Sequence, residues 1–593
     1  MKDFVKTMLA VIAAFIVVGV LRCLFFLVML GSMAAMGKGS VTLPKTGGVL
    51  DINLSEFTLG EQTVSEAAPS FSLAGMTTML PTVGIHDAVM ALQEAANDPA
   101  IKFVYLRADA AAAGISQLEE FRAALQAFRA CGKPVVAYTE APGNGSYYLS
   151  SVADKIYMGS AHGYTYSLMG LSTQMIFLKD ILDKVGVNVQ LIRHGKYKSA
   201  GEMFIRNSAS TENREQNQVM INSLWKALSA PMAASRDLSE EQFNKLLDDL
   251  SLVLPEDFLK YNLVDELVDH EALVGKLCTL AQVDDVKKVH LVPMMDYVDA
   301  KVSSLPTRSQ VAVIYADGEI IEGDELSDIA GDRFVHIIDK VRKDKNVKAV
   351  VLRVNSPGGS VAASIKIREA LDLLQAEKPL VASYGDYAAS GGYWISNGCQ
   401  KIYADATTIT GSIGVFSMIP EFSKVAKKVG VGIETIGSNK HSDMLSLMRP
   451  FDNAELAYMQ ASVEDIYELF VKLVADSRKL TVDQVDAIAQ GRVWAATDAL
   501  QIGLIDEIGT LEDAISYAAA LADLHSSDEY SVVGYPKPLT FMEELLTSLG
   551  KGNQEPSILA DTPFAGMEKG LEALKSQKTG LIYARLPYAL DIR

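Results

Sequence analysis

The sequence predicts an α/β protein built from two copies of one domain. The first observation is an internal repeat, in which Phe103-Val-Tyr-Leu-Arg107 recurs as Ala349-Val-Val-Leu-Arg353 about 245 residues later. The second is that each copy is followed by a small-residue turn and then by apolar residues at helical spacing. Strands that alternate with helices indicate parallel βαβ units, so we expect each half to be an α/β domain.

Further landmarks of the repeat keep the same spacing. The spacing of apolar residues predicts helices over 118–129 and 365–374, each followed by a Lys-Pro pair and a strand. The matched segments are Lys133-Pro-Val-Val-Ala137 with Lys378-Pro-Leu-Val-Ala382, Lys155-Ile-Tyr157 with Lys401-Ile-Tyr403, and Gly186-Val-Asn-Val-Gln190 with Gly430-Val-Gly-Ile-Glu434. We therefore place one α/β repeat at 39–305 and a second at 306–540.

Length and composition limit the classes of function. A chain of 593 residues is too long for one ordinary core. Its net charge of −19 argues against a nucleic-acid binder, because neutralising phosphates needs a basic face. The four cysteines are widely scattered and have no metal-site or redox-motif spacing: Cys23, Cys131, Cys278 and Cys399. We predict no metal, no cofactor and no disulfide framework.

A long apolar run near the start of the chain predicts a membrane anchor within 1–38. Residues 8–36 are almost continuously apolar, longer than the about 20 residues of a spanning helix and longer than the core of a cleaved export signal, which is the alternative. Lys2 and Lys6 precede the run, so the positive-inside rule places the bulk of the chain outside the cytoplasm. Arg22 interrupts the run, and the span either ends near it or continues with a snorkelling arginine.

Two stretches of the second half have the composition of a nucleophilic site. The first stretch, typical of an apolar strand that runs into a glycine turn, is Leu352-Arg-Val-Asn-Ser-Pro-Gly-Gly-Ser360. The second, typical of a small-residue turn that exposes Ser390, is Asp386-Tyr-Ala-Ala-Ser-Gly-Gly-Tyr393. A nucleophilic serine needs an unhindered hydroxyl beside backbone N–H groups that can bind an oxyanion. Small residues also surround serines in ordinary tight turns, so this pattern alone leaves both interpretations open.

Differences between the two halves favour the catalytic interpretation. Each half carries residue types that the other lacks at the aligned positions: Ser390 against Asn144, Gly358-Gly359 against Ala112-Ala113, and Lys198 against Ser442. This reciprocity indicates one composite site shared by the two domains.

Lys198 is the candidate general base for Ser390. A lysine accepts a proton only when neutral, so its pKa must fall from about 10.4 toward neutrality, a shift worth roughly 4 kcal/mol. Burial between two domains could supply that shift, and Ser–Lys pairs are a recognised variant of the nucleophile and base pair. The alternative is a Ser–His–Asp triad with His194 or His441 and Asp386, although neither histidine lies in a motif that marks it as the base.

These residues resemble the motifs of the signal peptide peptidase A family, also called protease IV, in its long, duplicated bacterial form. The matching motifs are Arg353-Val-Asn-Ser-Pro-Gly-Gly-Ser360, Ala388-Ala-Ser-Gly-Gly-Tyr-Trp394, Thr410-Gly-Ser-Ile-Gly414 and Tyr197-Lys-Ser-Ala200. The resemblance implies a membrane-anchored serine protease with a duplicated Clp/crotonase-like (ββα superhelix) fold, which cleaves remnant signal peptides. It also implies a ring-like or dome-like oligomer, a tetramer in the long form, whose sites face an interior with hydrophobic substrate grooves.

The resemblance also assigns roles to individual residues. It implies that Ser390 is the nucleophile, Lys198 the general base, Ser412 the hydroxyl that orients the lysine, and Gly359 a donor of the oxyanion hole. Gly391 directly follows the nucleophile and is our geometric candidate for the second donor. The resemblance ends near Tyr535; in the tail 541–593, Phe541-Met-Glu-Glu-Leu-Leu546 predicts a packed terminal helix or an amphipathic helix on a partner or on lipid.

We therefore predict a serine endopeptidase at the outer face of the cytoplasmic membrane. Its expected partners are extended apolar peptides, remnant signal peptides above all, the membrane itself and further copies of the chain. Three alternatives stay open: a crotonase-like coenzyme A enzyme, a non-catalytic membrane scaffold, and a broader quality-control protease for envelope proteins.

Overall fold

A computed structural model of the chain describes Arg22 and residues 43–64, 69–72, 75–78, 80–302, 307–326, 328–538 and 582–586. The contacts group Thr46–Arg593 into one unit. The predicted anchor, apart from Arg22, and the predicted terminal helix at 541–546 lie outside the described residues, as does the predicted boundary between 305 and 306. In the described part of the chain, no helix combines the length and the apolar character needed to cross a membrane.

The described strands fall into two series of similar order. Those of the first half are β1 (Gly48–Asn53), β2 (Thr58–Gly60), β3 (Pro69–Ser72), β4 (Gly75–Thr78), β5 (Thr82–Gly84), β6 (Ile101–Arg107), β7 (Val135–Thr139), β8 (Lys155–Gly159), β9 (Asn188–Arg193), β10 (Glu266–Val268) and β11 (His290–Pro293). Those of the second half are β12 (Gln310–Asp317), β13 (Ile320–Ile321), β14 (Ile329–Ala330), β15 (Val347–Ser356), β16 (Gly358–Ser360), β17 (Leu380–Ala389), β18 (Ile402–Ala404), β19 (Ile409–Gly411), β20 (Phe416–Glu421), β21 (Val493–Ala495), β22 (Glu507–Ile508), β23 (Ser531–Tyr535) and β24 (Tyr583–Arg585).

The helices complete the βαβ units that the repeat predicts. In the first half they are Ile85–Asn97, Ile115–Ala130, Asn144–Ser150, Lys179–Val185, Glu202–Ile205, Thr211–Ala234, Glu240–Asp248, Pro255–Lys260, His270–Ala281 and Met294–Lys301. In the second half they are Gly331–Lys343, Val361–Gln375, Gly391–Ser396, Ser423–Lys428, Asn453–Arg478, Val482–Ile488, Ala496–Gln501 and Leu511–Leu521. Short 3-10 turns cover Val286–Lys288 and Ser527–Glu529. The helices predicted over 118–129 and 365–374 lie inside Ile115–Ala130 and Val361–Gln375.

Each half has its own mainly parallel sheet, and six strands of the second sheet repeat the order of the first. The second sheet also contains β19, parallel to β17, and β21, antiparallel to β19. The order β10-β8-β7-β6-β1-β11 in the first half corresponds to β22-β18-β17-β15-β12-β23 in the second. The central strands are continuous apolar runs; β12 has six consecutive buried residues, which is typical of parallel strands covered on both faces. The predicted tandem α/β arrangement is therefore present.

A third sheet joins the two halves. Its order is β14-β13-β16-β24-β20-β9, so that β9 of the first half pairs antiparallel with β20 of the second. The prediction of two separate α/β domains did not include this shared sheet, because the pairing connects residues far apart in the sequence. It also treated 186–190 and 430–434 as equivalent, but among the described residues only the first contributes to a strand.

Candidate active site

Ser390 lies where strand β17 ends and helix Gly391–Ser396 begins. Its backbone has φ 57° and ψ −113°, a conformation that non-glycine residues rarely adopt. Such strain costs about 1–3 kcal/mol and is found where the surrounding structure enforces it, often at functional sites. Here Ser390 N–H donates to Gly411 O at 2.8 Å, and Trp394 N–H donates to Ser390 O at 2.8 Å. The sharp strand-to-helix turn projects the serine hydroxyl away from the strand.

Lys198 follows strand β9 of the first half and reaches Ser390 in the second. Its Nζ lies 2.8 Å from Ser390 Oγ, 3.0 Å from Ser412 Oγ and 3.2 Å from Ser412 O. A neutral amine has two N–H donors and one lone pair. These match the three oxygen atoms when both N–H groups donate to Ser412 and the lone pair accepts the hydrogen bond from the Ser390 hydroxyl. An ammonium would present three donors to the same oxygens, so the surroundings must decide between the two forms.

The surroundings of Lys198 favour the neutral amine. Lys198, Ser390 and Ser412 are each 0% exposed. Burial lowers the pKa of Lys198 well below its ordinary value, because the ammonium loses its hydration. The physical condition for a lysine base, an amine that is neutral near physiological pH, is therefore favoured here.

The loop that carries Lys198 docks on a glycine turn of the second half. Tyr197 N–H donates to Gln490 O at 3.0 Å, and a methyl group on Gly491 would lie only 2.5 Å from Lys198 Cβ. Gly491 also has a φ of +76°, so a larger residue there would be strained and would displace the lysine. Gly491 N–H in turn donates to Ile413 O at 2.8 Å, which ties the turn to the segment after β19.

Ser412 contacts the lysine amine with both its hydroxyl and its carbonyl oxygen. It follows strand β19 and has a φ of 49°, a second left-handed non-glycine residue in the site. Its N–H donates to Arg492 O at 2.7 Å. The turn directs both the hydroxyl and the carbonyl oxygen of Ser412 toward Lys198 Nζ, so the hydroxyl predicted to orient the lysine is in contact with it.

The backbone amides of Gly359 and Gly391 lie close together beside Ser390. A methyl group on Gly391 would lie 3.0 Å from Gly359 N, and one on Gly358 would lie 2.6 Å from Gly391 N. Gly358 has a φ of +96°, which only glycine adopts readily, and it brings strand β16 this close. Two backbone amides this close together beside a serine hydroxyl are candidates for an oxyanion hole.

Strand β24 lies in the groove beside these amides. It pairs antiparallel with β16, with Ala584 opposite Gly359, and its other edge meets β20. The pairing is extended at both ends, where Val361 N–H donates to Ile582 O at 3.3 Å and Leu586 N–H donates to Pro357 O at 2.7 Å. Ala584 is fully buried. The groove therefore holds an extended peptide segment by backbone hydrogen bonds.

The residues of the alternative triad make other contacts. These are His194 with Glu464 at 2.6 Å, His441 with Glu455 at 2.9 Å, and Asp386 with the Ser116 N–H at 2.8 Å. The nearest side-chain partner of Ser390 Oγ in the described structure is Lys198 Nζ. The geometry thus favours the lysine over either histidine.

A buried ion cluster behind the site joins the halves and was missed by the sequence analysis. Arg353 of β15 has its Nε 2.7 Å from Glu61 Oε2 and its Nη2 2.7 Å from Glu120 Oε1, and all three side chains are buried. Asp405 adds a third carboxyl, 3.9 Å from Nη1. An arginine inside the apolar stretch 349–354 of β15 was the available signal, since a buried charge needs partners.

Comparison with known proteins decides the family. The model of peptidase family S49 matches residues 127–284 and 372–525, one stretch in each half and together more than half of the chain. The chain belongs to peptidase family S49. This confirms the resemblance predicted from the motifs and the tandem arrangement, and it makes the chain a serine protease.

Three relatives whose names describe proteases match this S49 peptidase over more than two thirds of its length. It is 34% identical to Protease 4 of Haemophilus influenzae over 519 residues, which cover 83% of each chain. It is 39% identical to Protease 4 of Salmonella typhi over 411 residues, 68% of this chain and 66% of that one. It is 31% identical to the chloroplastic serine protease SPPA of Arabidopsis thaliana over 510 residues, 83% of this chain and 74% of that one.

Among solved structures, a ClpP1 mutant from Listeria monocytogenes aligns with 34% of the S49 peptidase and 94% of its own chain, at 14% identity and a TM-score of 0.24. A likeness at that TM-score carries no argument. The mixed α/β tandem architecture is seen directly, whereas the Clp/crotonase-like superhelix stays a prediction.

Proposed function

We propose that this S49 peptidase is an endopeptidase with Ser390 as nucleophile and Lys198 as general base. One observation carries the proposal: Lys198 Nζ lies 2.8 Å from Ser390 Oγ, and both residues are fully buried. A general base must be within hydrogen-bond reach of the proton it takes and must be unprotonated at the working pH. The distance and the burial of the amine support both conditions.

The first stage of the reaction is acyl transfer to the serine. Neutral Lys198 takes the proton of Ser390 Oγ as this oxygen bonds to the peptide carbonyl carbon, and the amides of Gly359 and Gly391 hold the resulting oxyanion. When the tetrahedral intermediate collapses, the C–N bond breaks and the Lys198 ammonium protonates the leaving amine. Ser412 accepts hydrogen bonds from the amine and keeps it in line with the hydroxyl.

The second stage hydrolyses the acyl-enzyme. Lys198, neutral again, takes a proton from water as the water oxygen attacks the ester carbonyl. The same two amides hold the second oxyanion. The ester C–O bond then breaks, Ser390 Oγ recovers its proton from Lys198, and the new carboxyl end of the peptide leaves.

The proposed substrates are extended, mainly apolar peptides, with cleaved signal peptides as the natural class. The groove beside β16 holds β24 through its backbone, a mode of binding open to other extended peptides. The side chains of Tyr583 and Leu586 are buried in apolar surroundings on either side of Ala584. Apolar surroundings of this kind suit peptides rich in leucine, alanine and valine, as signal peptides are. The resemblance to signal peptide peptidase A supports the same class.

We further propose that residues 1–38 anchor the peptidase in the cytoplasmic membrane, with both repeats on the outer side, and that it works as a homo-oligomer, a tetramer. The apolar run over 8–36 and the preceding Lys2 and Lys6 support this orientation. An anchored peptidase would meet signal peptides in the membrane where they are left after cleavage.

The activity is expected to fall on acidification, along an acidic limb of the pH–rate profile that is set by the protonation of Lys198. Burial lowers the pKa of this lysine, and its protonated form is inactive, so kcat/KM rises as pH passes upward through that pKa and is flat above it. The measurement is kcat/KM for a fluorogenic apolar peptide between about pH 5 and about pH 10, a range that spans histidine and lysine pKa values.

Two variants identify the group that titrates. Ser412→Ala removes an oxygen that stabilises the ammonium, so its limb should move to lower pH while the plateau falls. His194→Asn should leave the limb in place. A limb that disappears in His194→Asn would instead identify a histidine as the base.

Removing residues 582–593, which include β24, is expected to lower KM for an added peptide by about tenfold or more, with kcat nearly unchanged. Strand β24 pairs with β16 in the proposed substrate groove. As a tethered segment, it competes with the added peptide at a high effective concentration. The measurement is steady-state kinetics of the full chain and of the shortened variant, with a variant that lacks only 587–593 as the control. An unchanged or higher KM in the first variant, at an unchanged unfolding temperature, would show that β24 is part of the groove wall.

A further inference from the structure

The carbonyl group of Ala584 marks the place where a bound peptide meets the site. The N–H groups of Val361 and Leu586 donate the hydrogen bonds at the two ends of the pairing between β16 and β24. In an antiparallel ladder, hydrogen-bonded pairs recur at every second residue of each strand. The pair midway between the two ends is Gly359 and Ala584. The register therefore makes Gly359 N–H the donor to Ala584 O.

Glycines on two sides leave room for this oxygen. A methyl group on Gly391 would lie 3.0 Å from Ala584 O, and one on Gly358 would overlap it. The amides of Gly359 and Gly391 are those of the proposed oxyanion hole. In acyl transfer the oxyanion forms on the carbonyl oxygen of the residue before the scissile bond. Ala584 thus has the position of that residue, and Arg585 has the position directly after the scissile bond.

The side chain at this second position meets a carboxylate. Arg585 Nη1 lies 3.0 Å from Glu319 Oε1, and the two side chains are only 26% and 23% exposed. Glu319 is fixed by the backbone beside the site: its carbonyl oxygen accepts from Ile329 N–H at 2.9 Å, and the next residue, Ile320, pairs with Gly359. The carboxylate is therefore held at a defined distance from the oxyanion hole.

The charges around Glu319 favour a cation at this position. The segment 317–332 contains seven Asp and Glu residues and no Lys or Arg. Burial raises the pKa of the Glu319 carboxyl, the Arg585 guanidinium lowers it, and Asp328 raises it. A partly desolvated carboxylate with acidic neighbours is stabilised by a basic partner and repels an acidic one.

We propose that Glu319 is a specificity residue, which selects peptides with Arg or Lys directly after the scissile bond. The inference rests on the proposed peptidase function and adds a side-chain preference to it. Strand β24 serves as the template for a substrate in the groove, with a small residue before the cut, a basic one after it and the apolar Leu586 next. A signal peptide has its basic residues just before its apolar core, so such a cut would fall at that border.

Three fluorogenic peptides that differ at one position test the preference. They copy residues 580–590 and have Arg, Gln or Glu at the position of Arg585. For the full-length wild type, kcat/KM should be about tenfold higher for the Arg peptide than for the Gln peptide, as expected of a charge pair partly shielded from water, and lowest for the Glu peptide. Mass spectrometry of the products should place the cut between Ala and the residue that varies.

Variants at Glu319 connect the preference with this carboxylate. Glu319→Gln should bring the ratio of kcat/KM between the Arg and Gln peptides close to one, and Glu319→Lys should make the Glu peptide the best of the three. Glu325→Gln removes an exposed carboxylate from the same segment and should keep the wild-type ratio. Competition by β24 and loss of folded enzyme lower kcat/KM for all three peptides by the same factor, so neither changes the ratio.

The outcomes separate this preference from the peptidase function itself. Equal kcat/KM values for the three peptides would overturn the preference and leave the Ser390–Lys198 dyad intact. So would a cut at another bond, a ratio that Glu319→Gln leaves unchanged, or a ratio that Glu325→Gln lowers as much as Glu319→Gln does. A wild type that cleaves none of the peptides, nor any other apolar peptide, would overturn the proposed function and the preference with it.

Discussion

Lys198→Ala is expected to abolish peptide hydrolysis, and Ser390→Ala to do so to the same extent. The amine and the hydroxyl are 2.8 Å apart and act in one proton transfer, so removing either removes the step. Losses of about 10⁴-fold to 10⁶-fold in kcat are typical when a member of such a unit is deleted. Because the two residues act together, the double variant should be no slower than the slower single variant. The measurement is turnover of a fluorogenic apolar peptide by the full-length chain.

Two further lysine variants separate chemistry from folding. Lys196→Ala, at an exposed position beside the site, should keep full activity. Lys198→Met should be inactive yet at least as stable as the wild type near neutral pH. Burial lowers the folded-state pKa of Lys198 below that of an unfolded chain, so between the two pKa values the unfolded state binds more protons and folding must release one. Substantial activity in Lys198→Met or Lys198→Ala would rule out the lysine as base.

The residues of the candidate site were predictable because the two repeated halves of the chain can be compared with each other. Within one sequence, Ser390 and Lys198 stood out as residue types whose aligned counterparts, Asn144 and Ser442, cannot do the same chemistry. The strand and helix periods then predicted the tandem α/β units, and the parallel strand order that the two sheets share follows from those units. What these patterns predict well is local structure that is repeated.

The parts that escaped prediction depend on contacts between distant segments. Gly491 supports the lysine loop through a positive φ and close approach, but in the sequence it is one glycine among 43. The pairing of β24 with β16 joins segments more than two hundred residues apart, and short strands have no pattern that identifies their partner.

Arg353→Met is expected to lower the free energy of unfolding by about 3–5 kcal/mol, the range measured when one partner of a buried ion pair is removed. Arg353 is the cation that faces Glu61 and Glu120 of the other half, and all three side chains are buried. Burial raises the pKa of Glu120 and of Asp405, so without the arginine both carboxyls are driven further toward the neutral form. The measurement is urea-induced unfolding followed by circular dichroism.

The double variant Arg353→Met with Glu120→Gln tests whether the loss comes from the unpaired carboxylates. If it does, neutralising Glu120 should recover part of the stability, because fewer buried charges are left without a partner. Arg342→Met provides the surface control: this arginine pairs with Glu377 and Asp339 at a solvated site, where a lost ion pair costs about 0–1 kcal/mol. Since Arg353 holds the two halves against each other and the dyad takes one residue from each, Arg353→Met should also reduce peptide turnover below the unfolding transition. A variant as stable as Arg342→Met, with full turnover, would mean that apolar packing alone aligns Lys198 with Ser390.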